Sequence, residues 1–138
     1  MKKLSLITTL VLTVVVSQAF AVAPDSRGAD KIPFDPDVGW VVLNTTGDGR
    51  LLATIHLEDA RPNAEFSINV RVRYEDQSTE IFEEVAVLRT NGQGKGNAQV
   101  QVVVNPPEGS TTLRRVAVRV RRAPNPTYVA VGWDLPLK

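Results

Sequence analysis

Arginine is the residue type whose number and spacing promise the most chemistry in this 138-residue chain. Five of its eleven arginines (Arg114, Arg115, Arg119, Arg121 and Arg122) fall within nine residues. Arg115, Arg119 and Arg121 alternate with Val116, Val118 and Val120. Strand side chains point to opposite faces in turn, so buried valines would send these three guanidinium groups out from one solvated face. Arg71 and Arg73 do the same in the segment 66–74, where Phe66, Ile68, Val70, Val72 and Tyr74 form the apolar set. A guanidinium is a rigid, permanently charged fork of donors that grips carboxylates, sulfates and phosphates. Arg71, Arg73, Arg115, Arg119 and Arg121 are therefore the candidate binding residues. They suit a sulfated or carboxylated glycan, phosphate, or an acidic protein surface. The competing account pairs them across strands with Glu75, Glu83 or Glu84. Each such pair would contribute about 0.2–1 kcal/mol and keep the sheet soluble.

Other chemistry has fewer residues to work with. The chain has no cysteine and one histidine, His56, which shares a strand parity with Thr54 and Glu58. Ser67 and Ser78 are the mid-domain serines, and neither sits in a G-x-S-x-G turn. No catalytic residue is expected, and a small hydrolase built on His56 is the remote alternative. Zinc lacks nitrogen and sulfur ligands. Calcium would need clustered oxygens from Asp30, Asp35 and Asp37, or from Asn44 and Asp48. The first three lack the spacing of a calcium loop, and Asp48-Gly49 reads as turn chemistry. Gly92-Gln93-Gly94-Lys95-Gly96 lacks the spacing of a phosphate-binding loop and opens a strand, where no helix N-terminus faces a ligand. No metal and no cofactor are expected. Trp40 and Trp133 both end a Val-Gly-Trp triplet, and core filling is the expected use of two such large rings. The alternative for them is an exposed sugar-stacking platform.

Short strands must position these residues. The apolar run 38–44 ends in Asn-Thr-Thr-Gly-Asp-Gly, a turn signal. Leu51, Ala53, Ile55 and Leu57 fall on one parity, and segment 66–74 alternates without a break. Segment 83–90 is a shorter strand of mixed parity. Val100, Val102 and Val104 mark a fifth strand, Val116–Val120 a sixth and Tyr128–Trp133 a seventh. About seven strands separated by Asn, Gly and Pro turns predict an all-β, antiparallel sandwich with one packed and one solvated face per sheet. Gly47–Leu57 also matches Gly92–Val102 in the form G-x-G-[RK]-x-x-A-x-[IV]-x-[LV], at an offset of 45 residues. Pro62 and Pro107 keep that offset. Duplication is one reading, and shared turn grammar in two hairpins is the other.

Segments such as Leu57–Phe66 (LEDARPNAEF) and Thr90–Gly96 (TNGQGKG), each leading into an alternating strand, make residues 40–133 resemble exported bacterial immunoglobulin-like or fibronectin-like modules. The resemblance implies an immunoglobulin-like β-sandwich. It carries no activity, and the Cys…Trp…Cys core of antibody domains is absent.

The first 23 residues give the address. Lys2 and Lys3 precede the uncharged run Leu4–Val16, and Ala19-Phe20-Ala21 and Ala21-Val22-Ala23 are overlapping cleavage sites. That is the form of a helical secretory signal peptide over 1–23. Its apolar stretch is shorter than the roughly 20 residues that span a bilayer. A Pro/Asp-rich leader over 24–37 and a sandwich domain over 38–138 follow. Removal of Lys2 and Lys3 turns 16 basic residues into 14 against 15 acidic, so the mature chain is near neutral. Neither this balance nor secretion favours nucleic acid. The sequence thus predicts a periplasmic or extracellular, non-enzymatic binding or interaction module. Its partner is expected to be a protein or acidic glycan of the envelope, with no membrane span after cleavage. The alternative is a structural accessory subunit of an envelope assembly that uses an exposed sheet edge.

Overall fold

Valine, isoleucine and leucine at every second position favour extended chain with one dry face. The computed structural model, which describes residues 30–138, builds eight strands from that pattern. They are β1 (Asp30–Pro33), β2 (Gly39–Thr45), β3 (Arg50–Leu57), β4 (Glu65–Arg73), β5 (Thr79–Arg89), β6 (Gly96–Val103), β7 (Thr112–Arg121) and β8 (Thr127–Pro136). Two four-stranded antiparallel sheets result, in the orders β1-β2-β3-β6 (sheet one) and β5-β4-β7-β8 (sheet two). The segment read as a secretion signal lies outside the described residues. Among those described, no helix is long and apolar enough to cross a membrane.

The inner faces meet in a single apolar core. Sheet one contributes Val41, Leu43, Leu51, Ala53, Ile55 and Leu57, and sheet two contributes Phe66, Ile68, Val70, Val72, Val116, Val118 and Val120. With no disulfide available, this burial holds the layers together, at roughly 1.5–3 kcal/mol for each large apolar side chain taken out of water.

The structure has eight strands where the sequence pattern gives seven. The additional one, β1, comes from the segment read as leader and pairs with β2 from Asp30↔Leu43 to Pro33↔Trp40. Directly after it, Phe34 is buried in the core, and Asp35 exchanges backbone hydrogen bonds with Val129 of β8 (2.8 and 3.2 Å). The chain thereby stitches sheet one to sheet two along one side. On the opposite side β5 begins at Thr79, earlier than its alternation suggests. Ile68 pairs with Ala86 but Val70 with Phe82, so Asn69 faces an expanded stretch of β5. Glu84 there adopts φ 50° and donates its N–H to Asn69 Oδ1 at 2.6 Å. This bulge scrambles the two-residue period and hides the strand's start from a parity reading.

The two tryptophans do not fill the core as expected. Trp133 is 60% exposed and Trp40 is half-buried on the outer face of sheet one. Parity explains both outcomes, because their neighbours Gly39, Val41 and Gly132 take the inward positions. At Gly132 even a Cβ would lie 2.6 Å from Ile32 Cδ1 and 3.0 Å from Leu43 Cδ1. The core has no room for a side chain at that point, and the adjacent indole turns outward.

Candidate functional site

The five arginines singled out by spacing all project from the outer face of sheet two. Strand register brings them together. β4 pairs with β7 so that Arg73 lies opposite Arg115, Arg71 opposite Ala117, Asn69 opposite Arg119 and Ser67 opposite Arg121. β8 then sets Trp133 beside Arg115 and Val131 beside Ala117. Directly opposed residues on such a pair lie about 5 Å apart, and diagonal ones about 7–8 Å. The arginines thus occupy the two central columns of the sheet, between Ile81 of β5 and Trp133 of β8.

These cations are not matched by acids. Among the described residues, none of Arg71, Arg73, Arg115, Arg119 and Arg121 has a carboxylate oxygen within 4.0 Å. Arginines elsewhere do find acids: Arg50 reaches Asp48 at 3.3 Å, Arg89 reaches Glu65 at 2.6 Å and Arg114 reaches Asp134 at 3.6 Å. The acids expected to neutralise the face are occupied or set apart. Glu75 accepts hydrogen bonds from the backbone and hydroxyl groups of Thr111 and Thr112 at 2.9–3.3 Å, which hold its carboxyl below the usual carboxylate range, Thr112 Oγ1 first. Glu84 contributes its backbone to the bulge. Glu83 lines a hollow described below without forming an ion pair.

Arg115 is half-buried and lies over the Trp133 ring, its guanidinium carbon 5.5 Å from the ring centroid. A cation on an indole face is held by the ring quadrupole. That contact restrains the guanidinium over the ring. Between Arg115 and Arg119 along β7 stands Ala117, whose methyl side chain leaves a gap. The result is a hollow of about 160 Å³, lined by the polar side chains of Asn69, Arg71, Glu83, Arg115, Arg119 and Arg121 together with Val70, Ile81 and Ala117. Arg73 lies on the same face but outside the hollow. Parity of β4 and β7 is enough to find the arginines, but nothing in it announces Ala117 or Asn69. Their roles come from the register between strands more than 40 residues apart.

The remaining candidates are dispersed. His56 sits on the outer face of sheet one, with Nε2 2.7 Å from Glu58 Oε2 and its ring 4.4 Å from that of Trp40. Lys31 Nζ covers the same indole at 4.3 Å. Ser67 lies on the outer face of sheet two and donates to the Arg121 carbonyl at 3.4 Å, and Ser78 donates to Asp76 in the β4–β5 turn. The sandwich therefore separates His56 from Ser67. Among the described residues no three His, Asp or Glu side chains gather in a way that would hold a metal ion. Asp48 is engaged by Thr46 and Arg50, and the Thr46 hydroxyl first lowers its pKa. Comparison with protein-family models, curated proteins and solved structures gives no match.

Proposed function

We propose that the chain is a secreted, non-enzymatic binding module of the periplasm or cell exterior, with an immunoglobulin-like or fibronectin-like architecture. Its arginine face would hold an anionic partner, either an acidic glycan or an acidic protein surface of the envelope. The strand order supports the architectural part. If β2, β3 and β6 correspond to strands A, B and E, then β5-β4-β7-β8 corresponds to C′-C-F-G, with β1 added at the edge. The observation that carries the functional part is five guanidinium groups on one flat face with no carboxylate within 4.0 Å among the described residues. Like charges directly opposite, as in Arg73↔Arg115, destabilise a sheet. A purely structural surface would interleave acids there, as this protein does at Arg114 and Asp134.

The test is retention of the purified protein on an immobilised sulfated polysaccharide and on polyglutamate. The wild-type chain should be retained by at least one of them, and the Arg119→Glu/Arg121→Glu variant should pass through with its thermal midpoint unchanged. Equal retention of both proteins would remove the arginine face from consideration.

A second reading, an accessory subunit joined by strand addition, draws on β6. The edge strands β5 and β8 carry positive-φ residues, Glu84 and Asp134, whereas β6 has none and exposes Val103. An uninterrupted edge of this kind accepts an added strand. Chromatography of the purified protein across a concentration series tests self-pairing, and a monomer throughout would count against it.

A further inference from the structure

The hollow over Ala117 and the indole beside it are separated by one diagonal step on the sheet. Ala117 pairs with Val131, and Trp133 lies two residues further along β8, opposite Arg115. A diagonal step of about 7–8 Å is close to the span from the ring of a pyranose to the outer atoms of a charged substituent. The geometry points to an acidic-sugar subsite: one ring of an anionic glycan stacks on Trp133, and its carboxylate or sulfate enters the Ala117 hollow between Arg71, Arg115 and Arg119. This rests on the anionic-partner reading above and names the class of partner and the residues that select it.

The lining distinguishes a sugar from other anions. A plain anion site or an anionic lipid surface calls for donors and cations alone and has no use for an acceptor. Here Glu83 shares the hollow with the arginines. A carboxylate is an acceptor only, and the hydroxyl donors of a sugar are its natural partners. Asn69 supplies a donor of fixed orientation. Its Oδ1 is taken by the Glu84 N–H at 2.6 Å, which leaves the Nδ2 group free to donate. Arg115 lies over one side of the Trp133 ring, and the rest of the 60% exposed indole offers an apolar plate for the C–H face of the sugar. Cationic forks, one acceptor, one amide donor and one indole together match a carboxylated or sulfated pyranose better than phosphate headgroups or an acidic polypeptide.

Ala117 is the selective element. It is 9% exposed, the floor of the hollow, and a larger side chain would fill the space without altering any charge. The experiment is calorimetric titration of the purified protein with oligogalacturonate, its methyl-esterified neutral counterpart, a sulfated oligosaccharide, inorganic sulfate, polyglutamate and phosphatidylglycerol vesicles. Binding of oligogalacturonate or the sulfated oligosaccharide, without binding of the ester, is expected. The two acidic oligosaccharides then decide between carboxylate and sulfate. Trp133→Ala and Ala117→Leu should each weaken that binding at least about tenfold, a change well above calorimetric error. Trp133→Tyr and Ala117→Ser, which keep the plate and the hollow, should bind nearly as the wild type does and control for misfolding. Binding that survives both Trp133→Ala and Ala117→Leu but is lost in Arg119→Glu/Arg121→Glu overturns the sugar subsite and leaves the anionic-partner reading standing. So does binding of vesicles or polyglutamate without either oligosaccharide. A protein whose polyanion binding is unchanged by the arginine reversals, or which binds none of these probes, overturns both.

Discussion

Tyr74 joins three segments through one hydroxyl group. It is buried at the end of β4, donates to the Glu80 carboxylate of β5, and accepts the backbone N–H of Asn105 at 2.9 Å. Burial, reinforced by the Glu80 acceptor, pushes its pKa from 10.0 up to about 12. In the unfolded chain the phenol ionises near its ordinary value, whereas the fold retains the proton. Between about pH 10 and 12 the unfolded state therefore binds fewer protons than the native one, and stability falls across that window. Urea unfolding should show this decline, and tyrosinate absorbance should show the Tyr74 phenol ionising about two pH units above its ordinary value. Tyr74→Phe should abolish this contribution and lower stability at neutral pH by about 1–2 kcal/mol through the two lost hydrogen bonds. An identical alkaline decline in Tyr74→Phe would place its origin elsewhere.

At the scale of the element, β5 shows why an edge strand reads poorly from sequence. Its expanded stretch opposite Asn69 breaks the pairing register, and Glu84 takes the left-handed backbone region at φ 50°. A non-glycine residue there is disfavoured by contact of its Cβ with the backbone, while glycine is not. Glu84→Gly should therefore be neutral or stabilising by up to about 1 kcal/mol, since relieved strain offsets the added chain entropy. Asn69→Ala removes the acceptor for the Glu84 N–H and should cost about 1 kcal/mol, with faster amide exchange confined to the bulge. Denaturant midpoints of the two variants check both signs, and a clear loss of stability in Glu84→Gly would show that its φ carries no strain. β4 makes the contrast, because Phe66 to Tyr74 alternate without interruption and the strand is legible from its residues alone. β1 is too short and too close to Pro33 and Pro36 for any period to declare it, and tertiary pairing with β2 defines it. Trp40 and Trp133 mislead for a related reason. Their size suggests the core, but the glycine beside each decides which way the ring points.

Across the whole molecule, the 45-residue similarity gains a structural meaning. Its two copies end in β3 and β6, which pair antiparallel in sheet one, and the strands that follow them, β4 and β7, pair antiparallel in sheet two. Two strand–crossover–strand units thus face each other about an approximate two-fold axis. That same pairing places Arg71 and Arg73 beside Arg115, Arg119 and Arg121. Parity makes each arginine's outward direction legible, whereas their convergence depends on a long-range register that no local pattern encodes. One consequence concerns salt. The chain as a whole is close to neutral, at a formal net charge of +1, so long-range steering is weak and the electrostatics are those of the local face. There the arginines rise from strand positions spaced about 5–8 Å apart, shorter than or similar to the Debye length of roughly 8 Å at physiological ionic strength, so their charges repel one another. Added chloride screens this repulsion in the free protein but competes with any polyanion held on the face. Thermal stability should therefore rise modestly between low and moderate salt while polyanion affinity falls, and Arg119→Glu/Arg121→Glu should blunt both responses. Calorimetric melting with and without added sodium chloride, paired with titrations under the same conditions, measures the two directly. A midpoint that falls with salt in the wild-type protein would mean that the arginines are already compensated, and would remove the physical basis for treating this face as a binding surface.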